Sequence, residues 1–161
     1  MKDYLKPPTR YVAGFVLIVA ILTGILVWNR PKPAPISDLA FTQMAFDSLL
    51  KGDSQAESFV DFENLWCPCI NMNGQPADRL TYLGLQNEEE KAKYRSTFVT
   101  KFGPRIKELL YIETLQPWKL ESADSTSARL GAHAANDIYL SIELSKRDGE
   151  QKIVECGMIM P

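Results

Sequence analysis

Histidine is nearly missing from this chain: His133 is the only one in 161 residues. That excludes a multi-histidine metal site and a histidine relay. Cysteine is also sparse, and an odd count of three excludes a small scaffold stapled throughout by disulfides. Basic charge is not in excess, with 18 Lys and Arg against 20 Asp and Glu, so a general nucleic-acid binder is not expected. The sequence contains no P-loop and no GxGxxG, GxSxG or HExxH motif. Apolar residues are plentiful at 45%, too many for a disordered chain, and the length suits one compact domain.

The clearest positive feature lies near the start. Residues 11–28 carry no charge, with Tyr11 and Trp28 at the ends, where amphipathic rings prefer the headgroup zone. At 1.5 Å per residue a helix over 11–29 would reach roughly 28 Å, close to the thickness of a bilayer's hydrocarbon core. A cleaved signal peptide is the competing reading. The apolar stretch is long for one, no A-x-A site follows, and prolines begin at once. A single transmembrane helix is therefore expected, after a short tail over 1–10. Lys2, Lys6 and Arg10 precede it, and only Arg30 and Lys32 follow closely. This bias places the N-terminus in the cytoplasm and the rest in a periplasm or its equivalent, which implies a bacterial inner membrane or a comparable organelle membrane. Residues 30–36 are proline-rich and predict a stiff spacer.

The remainder, 37–161, reads as one α+β domain. Ser37 is placed to cap a helix that stops at Gly52, with Leu39, Ala45, Phe46, Leu49 and Leu50 on its apolar side. Ser54 to Glu57 reads as a capping box opening a second helix, with Phe59, Phe62 and Trp66 inward. Asn87 followed by Glu88, Glu89 and Glu90 opens a third, which Gly103-Pro104 is expected to end, with a short turn of helix over 104–109 after it. Between the second and third helices, 67–86 reads as an irregular loop with a turn at Asn73-Gly74, either a binding surface or a lid.

Beyond residue 110 the apolar period changes from 3.6 to 2. Ala128, Leu130, Ala132 and Ala134 alternate with polar or small residues, as do Ile138, Leu140, Ile142 and Leu144. Asp148-Gly149 is a hairpin signal, and the final strand is expected to turn Val154, Cys156 and Met158 to one face. An earlier strand near 111–121 is broken by Pro117, which suggests an edge or a bulge. The expectation is about three helices packed on a four-stranded antiparallel sheet.

The stretches Trp118-Lys119-Leu120, Ala128-Arg129-Leu130, 138–144, Asp148-Gly149 and Lys152-Ile153-Val154 resemble the sheet of the nuclear-transport-factor-two-like (cystatin-like roll) superfamily. Gln151 stands where a tryptophan is common there. With its N-terminal anchor the layout is similar to the inner-membrane scaffold subunits of type IV secretion machines. Because that superfamily includes enzymes, ligand binders and assembly modules, the fold does not choose a function.

Few residues suggest chemistry. Cys67-Pro68-Cys69 with Met72 could hold a soft metal such as Cu(I), but paired C-x2-C spacing for zinc is missing. The structural alternatives are buried free thiols, or a disulfide from Cys156 to Cys67 or Cys69 in an oxidising compartment. His133 falls on the polar sheet face rather than among inward Ala, Leu and Ile positions, which speaks against an acid/base role. In the superfamily that outer face is often a partner surface, and Arg129, His133, Tyr139 and Glu143 would lie on it. The leading expectation is a non-enzymatic accessory or scaffold subunit of a membrane complex, with no cofactor. Its partners would be other membrane-protein subunits and the lipid bilayer, with self-association through the sheet face as a further option. The competing readings are a small-molecule binder or isomerase-like enzyme using the cone between helices and sheet, and a thiol or copper site.

Overall fold

Ser37 starts the first helix as its side chain predicts, its hydroxyl accepting from the Ala40 N–H at 3.2 Å. In the computed structural model, which describes residues 36–110, 115–134 and 137–159, this helix α1 covers Asp38–Lys51 and ends on Gly52 at φ 72°. A 3-10 helix follows over Ser54–Phe59. Then come β1 (Trp66–Met72), β2 (Gln75–Asp78), α2 (Arg79–Leu83) and α3 (Glu88–Leu110). Four further strands complete the domain: β3 (Lys119–Ala123), β4 (Ser127–His133), β5 (Tyr139–Arg147) and β6 (Glu150–Ile159). The expected membrane span, with Tyr11 and Trp28, lies outside the described residues. Among the described residues no helix is long and apolar enough to cross a membrane.

The architecture is α+β, but the sheet has six strands rather than four, in the order β2-β1-β6-β5-β4-β3. The added pair comes from the stretch expected to be an irregular loop. Asn73 and Gly74 take φ values of 61° and 94°, the left-handed pair that joins two strands tightly, so they fold β1 and β2 into a hairpin. β1 then joins the meander in parallel beside β6, with Trp66 opposite Glu155. At the other edge lies β3, with a bulge between Leu120 and Ser122.

Three local expectations are corrected. The capping box at Ser54 opens only a 3-10 turn, and Trp66, expected inward on a helix, is a strand residue 47% exposed. Leu39 is 44% exposed, and Phe41 and Thr42 are buried on α1 in its place. Gly103-Pro104 does not end the third helix, because α3 runs on to Leu110. Pro104 costs that helix one hydrogen bond, but Phe102, Ile106 and Leu110 bury completely around it. Tertiary burial outweighs the local break.

The final strand also departs from simple alternation. Glu143 pairs with Glu155 and Leu144 with Ile153, so Val154 is an extra residue in β6. This bulge shifts the phase of the strand by one. Ile153 and Cys156 turn inward and are fully buried, and Met158 packs against the same core as expected, whereas Val154 is only partly covered and does not join it.

The core lies between the helices and one face of the sheet. Phe46 of α1 meets Phe102 of α3 edge-on at 6.0 Å and Trp118 at 5.1 Å. Phe98 touches Phe102 at 5.8 Å and Phe62 at 5.4 Å. Beneath these rings Leu130, Leu140, Ile142 and Leu144 are fully buried. These rings pack against one another between α1, α3 and the sheet.

Candidate functional site: the outer sheet face and the thiol cluster

On the sheet face away from the helices, antiparallel pairing sets side chains in rows across β4, β5 and β6. Arg129, Glu143 and Glu155 form one row by register. The Arg129 guanidinium donates to Glu143 at 2.8 Å and lies 4.0 Å from Glu155. These carboxylates hold the guanidinium pKa above its usual value. The next row is Gly131, Ser141 and Gly157, and the one after is His133, Tyr139 and Ile159.

Tyr139 explains why residue 131 is glycine. Its hydroxyl donates to the Glu121 carboxylate, and the ring crosses the space a Cβ on residue 131 would need. The His133 ring lies 4.9 Å from that of Tyr139, tilted by 58°, and is exposed. All four residues expected on this face are thus found there, joined by Ile159 at 64% exposure.

A groove of about 460 Å³ extends the face toward β1. Trp66 and Val154 supply apolar walls, and Glu143, Glu155 and Arg147 supply charge. Both apolar residues escaped the sequence reading, Trp66 because it was assigned to a helix and Val154 because the bulge could not be foreseen. Asn73-Gly74 was the available signal for β1, since that dipeptide marks hairpins when strands flank it.

The thiols converge on the other side of β1. Pro68 has no N–H for the ladder, and Pro68, Cys69 and Ile70 have no opposite residue in β2. The irregular strand brings the Cys67 and Cys69 sulfurs to 3.6 Å. Cys69 Sγ also approaches the Cys156 carbonyl oxygen at 3.9 Å. All three are free thiols, with Cys67 and Cys156 buried and Cys69 partly exposed. Burial pushes the Cys67 thiol well above its usual pKa, and hydrogen bonding to Cys156 and Cys69 adds to this. Cys69 shifts the other way, because its hydrogen bond with Cys67 and the positive potential of Arg105 on α3 outweigh its own partial burial. Met72 is buried in the core. Among the described residues no three His, Cys, Asp or Glu side chains are arranged to share a metal ion.

Comparison with known proteins adds little at the level of sequence: no family model matches the chain and no curated protein matches it. Two solved structures are similar. One is a designed nuclear-transport-factor-two-like protein, Rd1NTF2_05 in a five-substitution variant, at 12% identity and TM-score 0.39 over 73% of this chain and 91% of its own. The other is a Xanthomonas campestris protein assigned as a calcium/calmodulin-dependent protein kinase II association domain. It is 16% identical at TM-score 0.42, over 82% of this chain and 94% of its own.

Proposed function

We propose that this chain is a non-enzymatic accessory or scaffold subunit of a membrane complex, built as a nuclear-transport-factor-two-like roll on an N-terminal anchor. One contrast carries the reading. The inner face of the sheet is filled by Phe46, Phe98, Phe102 and Trp118, while the outer face leaves Trp66 and Ile159 about half or more exposed among charged rows. Rings packed edge to edge against the sheet favour a filled interior over the ligand chamber a small-molecule site would use. An aromatic anchor rimmed by charged residues is instead the composition of a protein-binding patch.

The anchor reading rests on the uncharged run over 11–28 and its flanking charges. On that reading the domain lies outside the cytoplasmic membrane, with the proline-rich residues 31–35 between anchor and domain in the sequence. From Pro31 onward, 14 basic residues face 19 acidic ones, so charge alone would not bind the domain to anionic lipid or nucleic acid. Partner subunits are the better fit.

The test is purification of the full chain in mild detergent, with co-migrating chains identified by mass spectrometry. Companion subunits should be retained by the wild type and lost from a Trp66→Ala, Arg129→Glu variant that still melts like the wild type. A monodisperse wild-type monomer without companions would overturn the reading.

A further inference from the structure

Cys67 and Cys69 have a geometry that the partner-binding role leaves unused. Their sulfurs stand 3.6 Å apart on an irregular strand, and of the three cysteines Cys69 is the one that is not fully buried. We propose that Cys67 and Cys69 form a thiol–disulfide exchange pair, in which Cys69 attacks a small or peptide-borne disulfide and Cys67 resolves the adduct.

The division of labour follows from position. Cys69 is a partly exposed residue, its sulfur shares a hydrogen bond with Cys67, and Arg105 lies near enough to favour its negative charge. These conditions promote the thiolate, which is the attacking species. Cys67 is fully buried, so an incoming disulfide cannot reach it first. Its proton is held by burial first and then by hydrogen bonding to Cys156 and Cys69. Once the Cys69 sulfur is bonded to another sulfur, its negative charge no longer opposes loss of that proton.

The electron balance closes with a disulfide RSSR as the oxidant. The Cys69 thiolate attacks one sulfur of RSSR, forming the mixed disulfide Cys69–S–SR and releasing RS⁻. The Cys67 thiol gives its proton to that RS⁻, and its sulfur then attacks Cys69 Sγ. The Cys67–Cys69 bond forms, the second RS⁻ leaves and takes a proton from water, and RSSR has been reduced to two RSH. Only one residue separates the two cysteines, so the ring is tight. Strained disulfides are the readily reduced ones, so the pair would cycle rather than lock. Cys156, whose side chain hydrogen-bonds with Cys67, is the rival partner.

Trypsin distinguishes the outcomes, because no Lys or Arg lies between Gly52 and Asp78 and none follows Lys152. Peptide 52–79 therefore holds both members of the pair, and peptide 153–161 holds Cys156. The full chain, reduced and then equilibrated with oxidised and reduced glutathione, is alkylated, digested and weighed. Peptide 52–79 should lose two hydrogens, and the loss should reverse when the buffer is made more reducing. Cys67→Ser should trap a persistent glutathione adduct on Cys69. Cys69→Ser should abolish the reaction, and Cys156→Ser should leave it intact. A bridge joining 52–79 to 153–161 would overturn the proposal. So would three thiols that stay reduced and unmodified up to fully oxidised glutathione in wild type that is folded by circular dichroism.

Discussion

Gly103 of α3 rests on the backbone of Leu50 at the end of α1: a Cβ on residue 103 would come within 2.9 Å of the Leu50 carbonyl carbon, and closer still to its oxygen. The two helices meet there without a side chain between them. This contact explains a glycine beside a proline in the middle of a 23-residue helix.

Gly103→Ala should therefore destabilise the domain, although alanine is the better helix former. Overpacking against backbone costs about 1–3 kcal/mol, more than the ~1 kcal/mol that helix propensity returns. Urea titration followed by circular dichroism measures the balance. A variant as stable as wild type would show that the helices can part freely.

Phe46→Ala distinguishes a filled interior from a pocket wall. Phe46 is fully buried against Phe102 and Trp118, so its truncation should cost about 3–5 kcal/mol. A side chain lining an open chamber would lose far less. The same denaturation experiment separates the two.

The β3–β4 turn should hold its charge into strong acid. Asp124 Oδ1 accepts from the Thr126 and Ser127 N–H groups at 2.6 and 2.8 Å. Those bonds and the Thr126 hydroxyl lower its pKa to about 2. A lowered folded-state pKa means a stabilising contribution that is complete above the unfolded value near 4 and is lost as pH falls through about 2. Carboxyl-carbon NMR should place the Asp124 midpoint near 2, and a midpoint near 4 would mean that the turn is open in solution.

Trp66→Ala should leave stability within about 0.5 kcal/mol of wild type, because the ring is 47% exposed. Tryptophan fluorescence of the wild type should shift to the blue on complex formation as the ring leaves water. A spectrum unchanged between free protein and complex would remove Trp66 from the interface.

The sequence alone determined what depends on neighbours a few residues apart. Ser37 and Asn87 cap their helices through bonds spanning three residues, and Asp148-Gly149 turns its hairpin with positive φ at both positions. Alternation alone placed Ala128, Leu130, Leu140, Ile142 and Leu144 inward, and with them Arg129 and Glu143 outward. Tertiary structure decided the rest, because the deciding partners are distant in the chain. Residues 66–78 become strands because β6 offers an edge to β1, and the Val154 bulge sets which β6 residues face the core. The Cys69 sulfur meets the Cys156 carbonyl across a separation of 87 residues, and no local pattern encodes such a contact.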